Sequence, residues 1–303
     1  PSSRSAMPAV HKRTDMTYLT RIQQLNSANL AEYRPLILDG DAVGLIWEHN
    51  LARLHAHGIV LREEGARYIW DAPAGFAARN RLLANLAAAL YRSGYISGWR
   101  DEKLPLLASL HHPARALIER AAAPVLGVCG YGVHANGITE RDGVPHMWIA
   151  RRAASKSVEP GKLDQIAAGG IPHGIGILAN LIKESGEEAA IPEALARQAR
   201  PVGTISYTAQ TENGIRADLL YLYDLHLPAD FRPVNSDGEV AEFLCLPLDE
   251  VARLVRETEE FKLNSAVVVI DYLIRHGYLT PDDIPEYPTL CRDIRRIHPL
   301  LGQ

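Results

Sequence analysis

Glu184, Glu187 and Glu188 are the residues of this chain whose type and spacing point most directly to chemistry. Helix neighbours lie three and four residues apart, so on a helix these carboxylates share one face. Like charges at that spacing repel, each pair costing on the order of 0.2–0.5 kcal/mol. A hard divalent cation removes that cost. Carboxylate oxygens suit Mg²⁺ or Mn²⁺, and Mg²⁺ commonly takes substrate phosphates as further ligands. The pattern therefore points to metal-dependent chemistry on a phosphate ester or anhydride. The plainer alternative is a solvated acidic face, and two details weigh against it. At about 100° per residue, Ile175, Leu178, Ile182, Ser185 and Ala189 fall on one arc, with Leu181 at its edge. Glu184, Glu187, Glu188 and Asn180 fall on another, which predicts a core side and a separate acidic side. Before the helix stands Gly169-Gly170, read as a loop whose backbone approaches something closely.

Other residues are candidates for binding substrate. Lys156 and Lys162, in SKSVEPGKLD, precede the double glycine, where a lysine reaches a phosphate as a point charge. Asp164 is expected to fix that loop. His111-His112 has the look of a metal pair, but adjacent residues point in different directions, so it is read as loop chemistry. Trp47, Trp70 and Trp99 carry flat faces suited to a heterocycle, although most such rings are core.

These side chains need elements to position them. The first half predicts a helix from Met16 to Ala28, a strand at Leu36–Leu38 and a helix from Val43 to His57. Ile59 to Arg62 and Arg67 to Trp70 read as a hairpin, Arg79 to Tyr91 as a helix. A strand within Gly98–Leu106 and a helix from Pro113 to Ala123 complete a small α+β domain over residues 17–122. Residues 1–16 read as a disordered leader without a secretory h-region. The second domain, 123–303, opens with strands at Val125–Ala135 and His146–Arg152, joined by a turn-rich Gly137–Val144. The glutamate helix follows. Asn213-Gly214 between two alternating runs is a hairpin signal. A strand at Glu242–Leu246 and helices at Leu248–Arg256 and Ser265–His276 close the pattern.

The chain has 303 residues, 47% hydrophobic, with a formal net charge of −4, which fits a globular protein of two domains and argues against a nucleic-acid partner. No run approaches the roughly 20 apolar residues that span a bilayer. Cys129, Cys245 and Cys291 are far apart and odd in number, as expected of ordinary thiols in a reducing, cytoplasmic setting. The oligomeric state is open.

Gly169, Glu184, Glu187, Glu188 and Ile191 match the Nudix box, G-x5-E-x7-R-E-U-x-E-E-x-G-U with U aliphatic, and the chain resembles the Nudix hydrolase superfamily. Lys183 keeps the charge of the usual Arg. Ile175, Ser185 and Ala190 depart from the pattern at the first Glu, an aliphatic site and the last Gly. AAGGIPHGI, DGEVAEF (237–243) and FKLNSAVVVIDYLIRHGY (261–278) resemble a Nudix subfamily with an extra N-terminal domain, fused in fungi to thiamine pyrophosphokinase. The resemblance implies a Nudix α/β/α sandwich with a mixed sheet behind a small α+β domain. It implies an Mg²⁺ site of Glu184, Glu187, Glu188 and the Gly169 carbonyl, with Mn²⁺ as a substitute. The catalytic base it implies is either a box glutamate or a later loop residue, for which Glu239 stands in the right part of the chain. The implied reaction is hydrolysis of a small-molecule diphosphate, with oxidised or damaged thiamine diphosphate cleaved to the monophosphate. The alternatives are ADP-ribose or another nucleoside diphosphate derivative, and a ligand-binding module without catalysis.

Overall fold

Pairing and alternation decide where each segment goes. The computed structural model describes residues 17–156, 158–297 and 299–300; the expected leader, 1–16, lies outside them. In chain order the N-terminal part holds α1 (Tyr18–Leu25), β1 (Tyr33–Leu38), β2 (Asp41–Trp47), α2 (Leu51–Ala56), β3 (Leu61–Glu64), β4 (Arg67–Trp70), α3 (Phe76–Arg92), β5 (Lys103–Leu106), β6 (Ala116–Glu119) and α4 (Ala123–Leu126). The C-terminal part holds β7 (Cys129–Arg141), β8 (Val144–Arg152), β9 (Leu163–Gln165), β10 (Ala167–Gly170), α5 (Ile177–Ala189), α6 (Glu193–Ala196), β11 (Arg200–Thr211), β12 (Gly214–His226), β13 (Val240–Pro247), α7 (Leu248–Glu257), α8 (Leu263–Arg275) and α9 (Tyr287–Ile294).

The main sheet runs β11-β12-β7-β8-β13, with β10 on β7 and β9 on β8. It is mixed: β12 and β7 are parallel and the other pairs antiparallel. Along β12, Leu220 and Leu222 turn to the layer of α1, α7, α8 and α9, while Leu219, Tyr223 and Leu225 turn to the layer of α5. That alternation, period two, is what makes a helix–sheet–helix sandwich, the architecture expected of the resemblance. The N-terminal part is a second core: the sheet β2-β1-β4-β3 and the hairpin β5-β6 packed on α3. No helix among the described residues is long and apolar enough to cross a membrane.

Several expectations are corrected. Val43 to Trp47 is a strand, and helix begins at Leu51. Its apolar spacing suits a helix, but Trp47 and Ile46 find partners in Tyr33 and Arg34 of β1. Gly44 also lies so close to Leu126 that a Cβ there would stand 2.2 Å from that residue's carbonyl oxygen. Backbone pairing with a distant segment outweighs local periodicity. Pro113 to Ala123 is strand β6 and a short 3₁₀ turn, because Ala116 and Ile118 are buried while pairing with β5. Gly137 does not start a turn: β7 continues to Arg141, and the reversal is at Asp142-Gly143, both at positive φ. Packing crosses the 122/123 junction in both directions. Tyr18, Ile22 and Leu25 of α1 join the core under α8, and Arg21 Nε donates to the Val255 carbonyl at 3.1 Å. Ala123, Val125, Leu126 and Val128 belong to the N-terminal core.

Candidate active site

Gly169-Gly170 is strand, not loop, and this determines the site. β7 pairs with β10 through Gly132–Ala135 and with β8 through Gly137–Arg141, so β10 occupies the fork where β7 and β8 part. On the edge of β10 away from β7 lies α5. Ala168 N donates to Glu188 Oε2 at 2.8 Å, and Asn180 Nδ2 donates to the Gly170 carbonyl at 3.1 Å. Peptide groups alternate sides along a strand. Ile171 N points into the ladder, to Tyr131 O at 2.8 Å, and Gly169 shares its direction. The Gly169 carbonyl expected among the metal ligands therefore faces β7; the carbonyl on the carboxylate side is that of Ala168.

Gly169 matters for a different reason. A Cβ on it would stand 2.2 Å from Glu184 Cδ. The missing side chain is the space that the Glu184 carboxylate fills. Glu184 and Glu188, one turn apart on α5, are thus drawn onto β10, with Glu188 at 8% exposure. Burial pushes the Glu188 carboxyl well up; the Ala168 N–H offsets part of this, and Asp164, Glu184 and Glu239 add to it. Burial likewise raises Glu184; Lys183 works against the rise and Glu187 and Glu239 with it. Glu187 turns to solvent, at 2.5 Å from Lys183 Nζ. Its hydrogen bond holds the lysine charged, with help from Glu184, whose Oε1 is 3.3 Å away.

The core side of α5 differs from expectation. Leu181, Ser185 and Ala189 are buried, but so are Asn180 and Glu188, whereas Ile175 and Leu178 are exposed because they precede the packed turns. Ala190, in place of the usual glycine, adopts the left-handed conformation at φ 51°. Its N–H still bonds Gly186 O, and the N–H of Ile191 bonds Ser185 O, so the helix stop survives the substitution.

Glu239 is brought to the site. Ser236 Oγ donates to the Glu187 carbonyl at 2.5 Å and Val234 N to Ala189 O at 3.1 Å, which docks this loop on the end of α5. Lys156 pairs with Glu239 and so holds a carboxylate rather than facing open space. Lys162 is placed elsewhere, its Nζ on the Glu259 carbonyl. Proximity in sequence to the double glycine did not carry its ammonium to the carboxylates.

Asp164, expected from sequence to fix its loop, is the centre of a polar network, and Arg216, Asp218 and Arg120 go beyond the residues singled out from sequence. Asp164 accepts from Arg152 (3.0 Å), Lys262 (3.3 Å), Ser265 Oγ (2.5 Å) and the Gln165 N–H (3.0 Å). Burial alone would raise its pKa, but Lys262, His134, Ser265 and Arg152 together bring it to about 2. Further along, Arg216 Nε donates to Asp218 Oδ2 (2.7 Å), which also accepts from Tyr207 Oη (2.5 Å). From the N-terminal part, Arg120 pairs with Glu102 at 2.7 Å and lies against Gly170. Arg216-x-Asp218 on one strand face was a visible signal; Arg120 had none.

A family model described as a domain of unknown function (DUF4743) matches residues 16–130. Over 217 residues the chain is 46% identical to Nudix hydrolase 24, chloroplastic, of Arabidopsis thaliana, covering 72% of this chain and 59% of that relative's length. It is 38% identical over 287 residues to Nudix hydrolase 20, chloroplastic, of the same plant, covering 90% of this chain and 77% of the relative. The chain belongs to the Nudix hydrolase family. Among solved structures, DR0079 from Deinococcus radiodurans matches at 22% identity over 56% of this chain and 99% of its own, with a TM-score of 0.43.

The Nudix box residues fit a divalent metal in a particular way. Among the described residues no group of three or more His, Cys, Asp or Glu side chains gathers closely enough to hold a metal ion. Glu188, buried, and Glu184, half-buried, nevertheless form a like-charged pair beside the Ala168 peptide, and their raised affinity for protons is an affinity for positive charge. Mg²⁺ is usually bound through one or two carboxylates, with water and substrate phosphates completing its octahedron. The pair suits that role.

Proposed function

We propose that this chain is a Mg²⁺-dependent hydrolase of a diphosphate linkage. The observation that carries the reading is the placement of Glu188, buried, and Glu184, half-buried, against β10 at Ala168–Gly169, with too little positive charge around them. A divalent cation held by this pair supplies charge neutralisation on the diphosphate and a lower pKa for the attacking water. Glu184 and Glu188 are the proposed ligands, with Glu187 joining them when it leaves Lys183. Glu239, whose charge adds to the rise of both carboxyls and which is paired with Lys156, is the group we propose accepts the water proton. A carboxylate there must lie within about 3 Å of that water or one water away. Lys156 then positions the base and is not a phosphate ligand.

The finer proposal is that the substrate is an oxidised or damaged thiamine diphosphate, cleaved to the monophosphate. It is supported by the resemblance of segments 167–175, 237–243 and 261–278, and the partner in this reading is a small molecule. The test is a hydrolysis screen with and without Mg²⁺, comparing thiamine diphosphate and its oxidised forms with ADP-ribose. Metal-dependent release of the monophosphate from the oxidised forms is expected. Faster turnover of ADP-ribose would overturn the substrate, and the absence of metal-dependent turnover on every diphosphate would overturn the reaction.

A further inference from the structure

Across three adjoining strands one face is floored by glycine. Gly132 of β7 pairs with Gly170 of β10, and Gly130, two residues back on the same face of β7, pairs with Asp218 of β12. Each end of this floor carries a guanidinium. At β10, Arg120 Nη1 lies 3.5 Å from where a Cβ on Gly170 would be. At β12, the Asp218 carboxylate fills the Cβ position of Gly130, at 2.4 Å, and holds Arg216 Nε at 2.7 Å. Neighbouring strands lie about 4.8 Å apart, so Arg120, lying against β10, and Arg216, on β12, flank strands two spacings from each other with Gly132 between them.

The placement of Arg120 is built. The β5–β6 hairpin brings Lys103 opposite Glu119, Arg120 N donates to Glu102 O at 2.8 Å, and Arg120 Nη1 to Glu102 Oε2 at 2.7 Å. About a third of each of these two side chains is open to solvent. Gly170 is also the residue whose carbonyl accepts from Asn180 of α5. Three successive residues of β10 therefore meet Glu188, Glu184 and Arg120 in turn. Asn180 Oδ1, fully buried at that junction, has no hydrogen-bond partner among the described residues.

We infer that Arg120, supplied by the N-terminal part, and Arg216 form a clamp over the Gly132–Gly170 floor for a phosphate group of the substrate, the one beyond the phosphate facing Glu184 and Glu188. This rests on the diphosphate reading above and gives the N-terminal part a task in it. A guanidinium carries five N–H donors in a planar fork matched to phosphate oxygens. The charge distribution agrees. Arg100 is shifted down first by burial and then by Arg120, Arg216 and Arg152, with Glu102 opposing. An anion among these groups relieves that repulsion.

Calorimetry with methylenediphosphonate, a diphosphate that cannot be hydrolysed, in the absence of divalent metal, tests the clamp on the full chain. The wild type binds, and Arg120→Gln and Arg216→Gln each weaken binding about ten-fold or more, the scale of losing a charge-assisted hydrogen bond. Glu102→Gln removes the carboxylate that competes for Arg120 and is expected to tighten binding. That opposite sign separates a clamp from a merely structural ion pair, whose two halves would weaken binding alike. In steady-state kinetics the loss for Arg120→Gln falls mainly on KM. No binding by the wild type, affinity of Arg120→Gln equal to wild type, or weaker binding by Glu102→Gln would overturn the clamp. The reaction itself is judged separately by Glu188→Gln, which loses turnover and keeps metal-free diphosphonate binding. Arg120-dependent binding without turnover of any diphosphate would sink the reaction and leave the clamp standing.

Discussion

Asp164 on β9 and Glu188 beside β10 are both buried carboxylates, at 4% and 8% exposure, and the protein treats them oppositely. Asp164 accepts four hydrogen bonds, two from cations, and its pKa falls to about 2. Burial raises the proton affinity of Glu188; the Ala168 N–H it accepts offsets part of the rise, and the anions Asp164, Glu184 and Glu239 add to it. Burial is common to both and therefore not diagnostic. The supply of positive charge is what differs. A carboxylate whose surroundings overcompensate it is part of the scaffold, and one left short of cations is prepared to receive one.

Glu188→Gln is the sharpest way to break this contrast. The loss of a carboxylate charge from the metal pair should lower turnover by about 10²-fold or more while the fold persists. Metal-free stability should move the other way. The folded pKa of Glu188 lies above 4.5, so upward of that value the folded state binds more protons than the unfolded and stability falls as pH rises through the raised pKa. Glu188→Gln abolishes that fall. Urea denaturation across the range, without divalent ions, reads it directly. Mg²⁺ should restore wild-type stability at the high end and leave the variant unmoved. Turnover at the wild-type rate, or a variant less stable than wild type at every pH, would put Glu188 in the same class as Asp164.

The carboxylate half of the site was legible in sequence because it is local. Glu184, Glu187 and Glu188 sit within one helical turn, and Gly169 stands close before them, so spacing alone carries the argument. What spacing could not convey is direction: which of the three turns outward, and which peptide of the AAGG strand faces them. Glu239 needed chain order within a family pattern, and Lys162 shows the limit of nearness in sequence, since its ammonium ends on Glu259. Arg120 and Arg216 come from separate segments brought together by a parallel strand pair and a hairpin, and no local pattern marks such a meeting. β2 failed for the same reason: Val43, Ile46 and Trp47 satisfy a helical period, and the partner that decides against it, β1, is visible only through pairing.

Gly169→Ala sharpens the comparison with a smaller effect. The new methyl would meet Glu184 Cδ at 2.2 Å. Because the obstacle is the end of a flexible side chain, Glu184 swings away and the backbone keeps its place. Turnover is expected to drop about ten-fold to a hundred-fold, the cost of misplacing a group by about 1 Å, with an unfolding midpoint close to wild type. A crystal structure or Mg²⁺ titration of the variant should show weaker metal binding. If turnover is retained, Glu184 does not work from the position described.

Asp164→Asn has the smallest expected effect on turnover per folded molecule and a large one on stability. It leaves Lys262 and Arg152 facing a neutral amide, and breaking a buried pair from one side costs about 3–5 kcal/mol. The acid limb of the stability curve gives the independent check. The folded pKa, about 2, lies below the ordinary value of 3.8, so Asp164 contributes stability that is fully present above 3.8 and lost as pH falls through about 2. Asp164→Asn lacks that limb, and its stability should change less than wild type over the same interval in urea melts. Equal acid sensitivity of the two proteins would mean that the four donors do not hold the charge. A turnover loss matching that of Glu188→Gln in fully folded protein would place Asp164 in the reaction, and the supply of cations around a buried carboxylate would no longer separate scaffold from site.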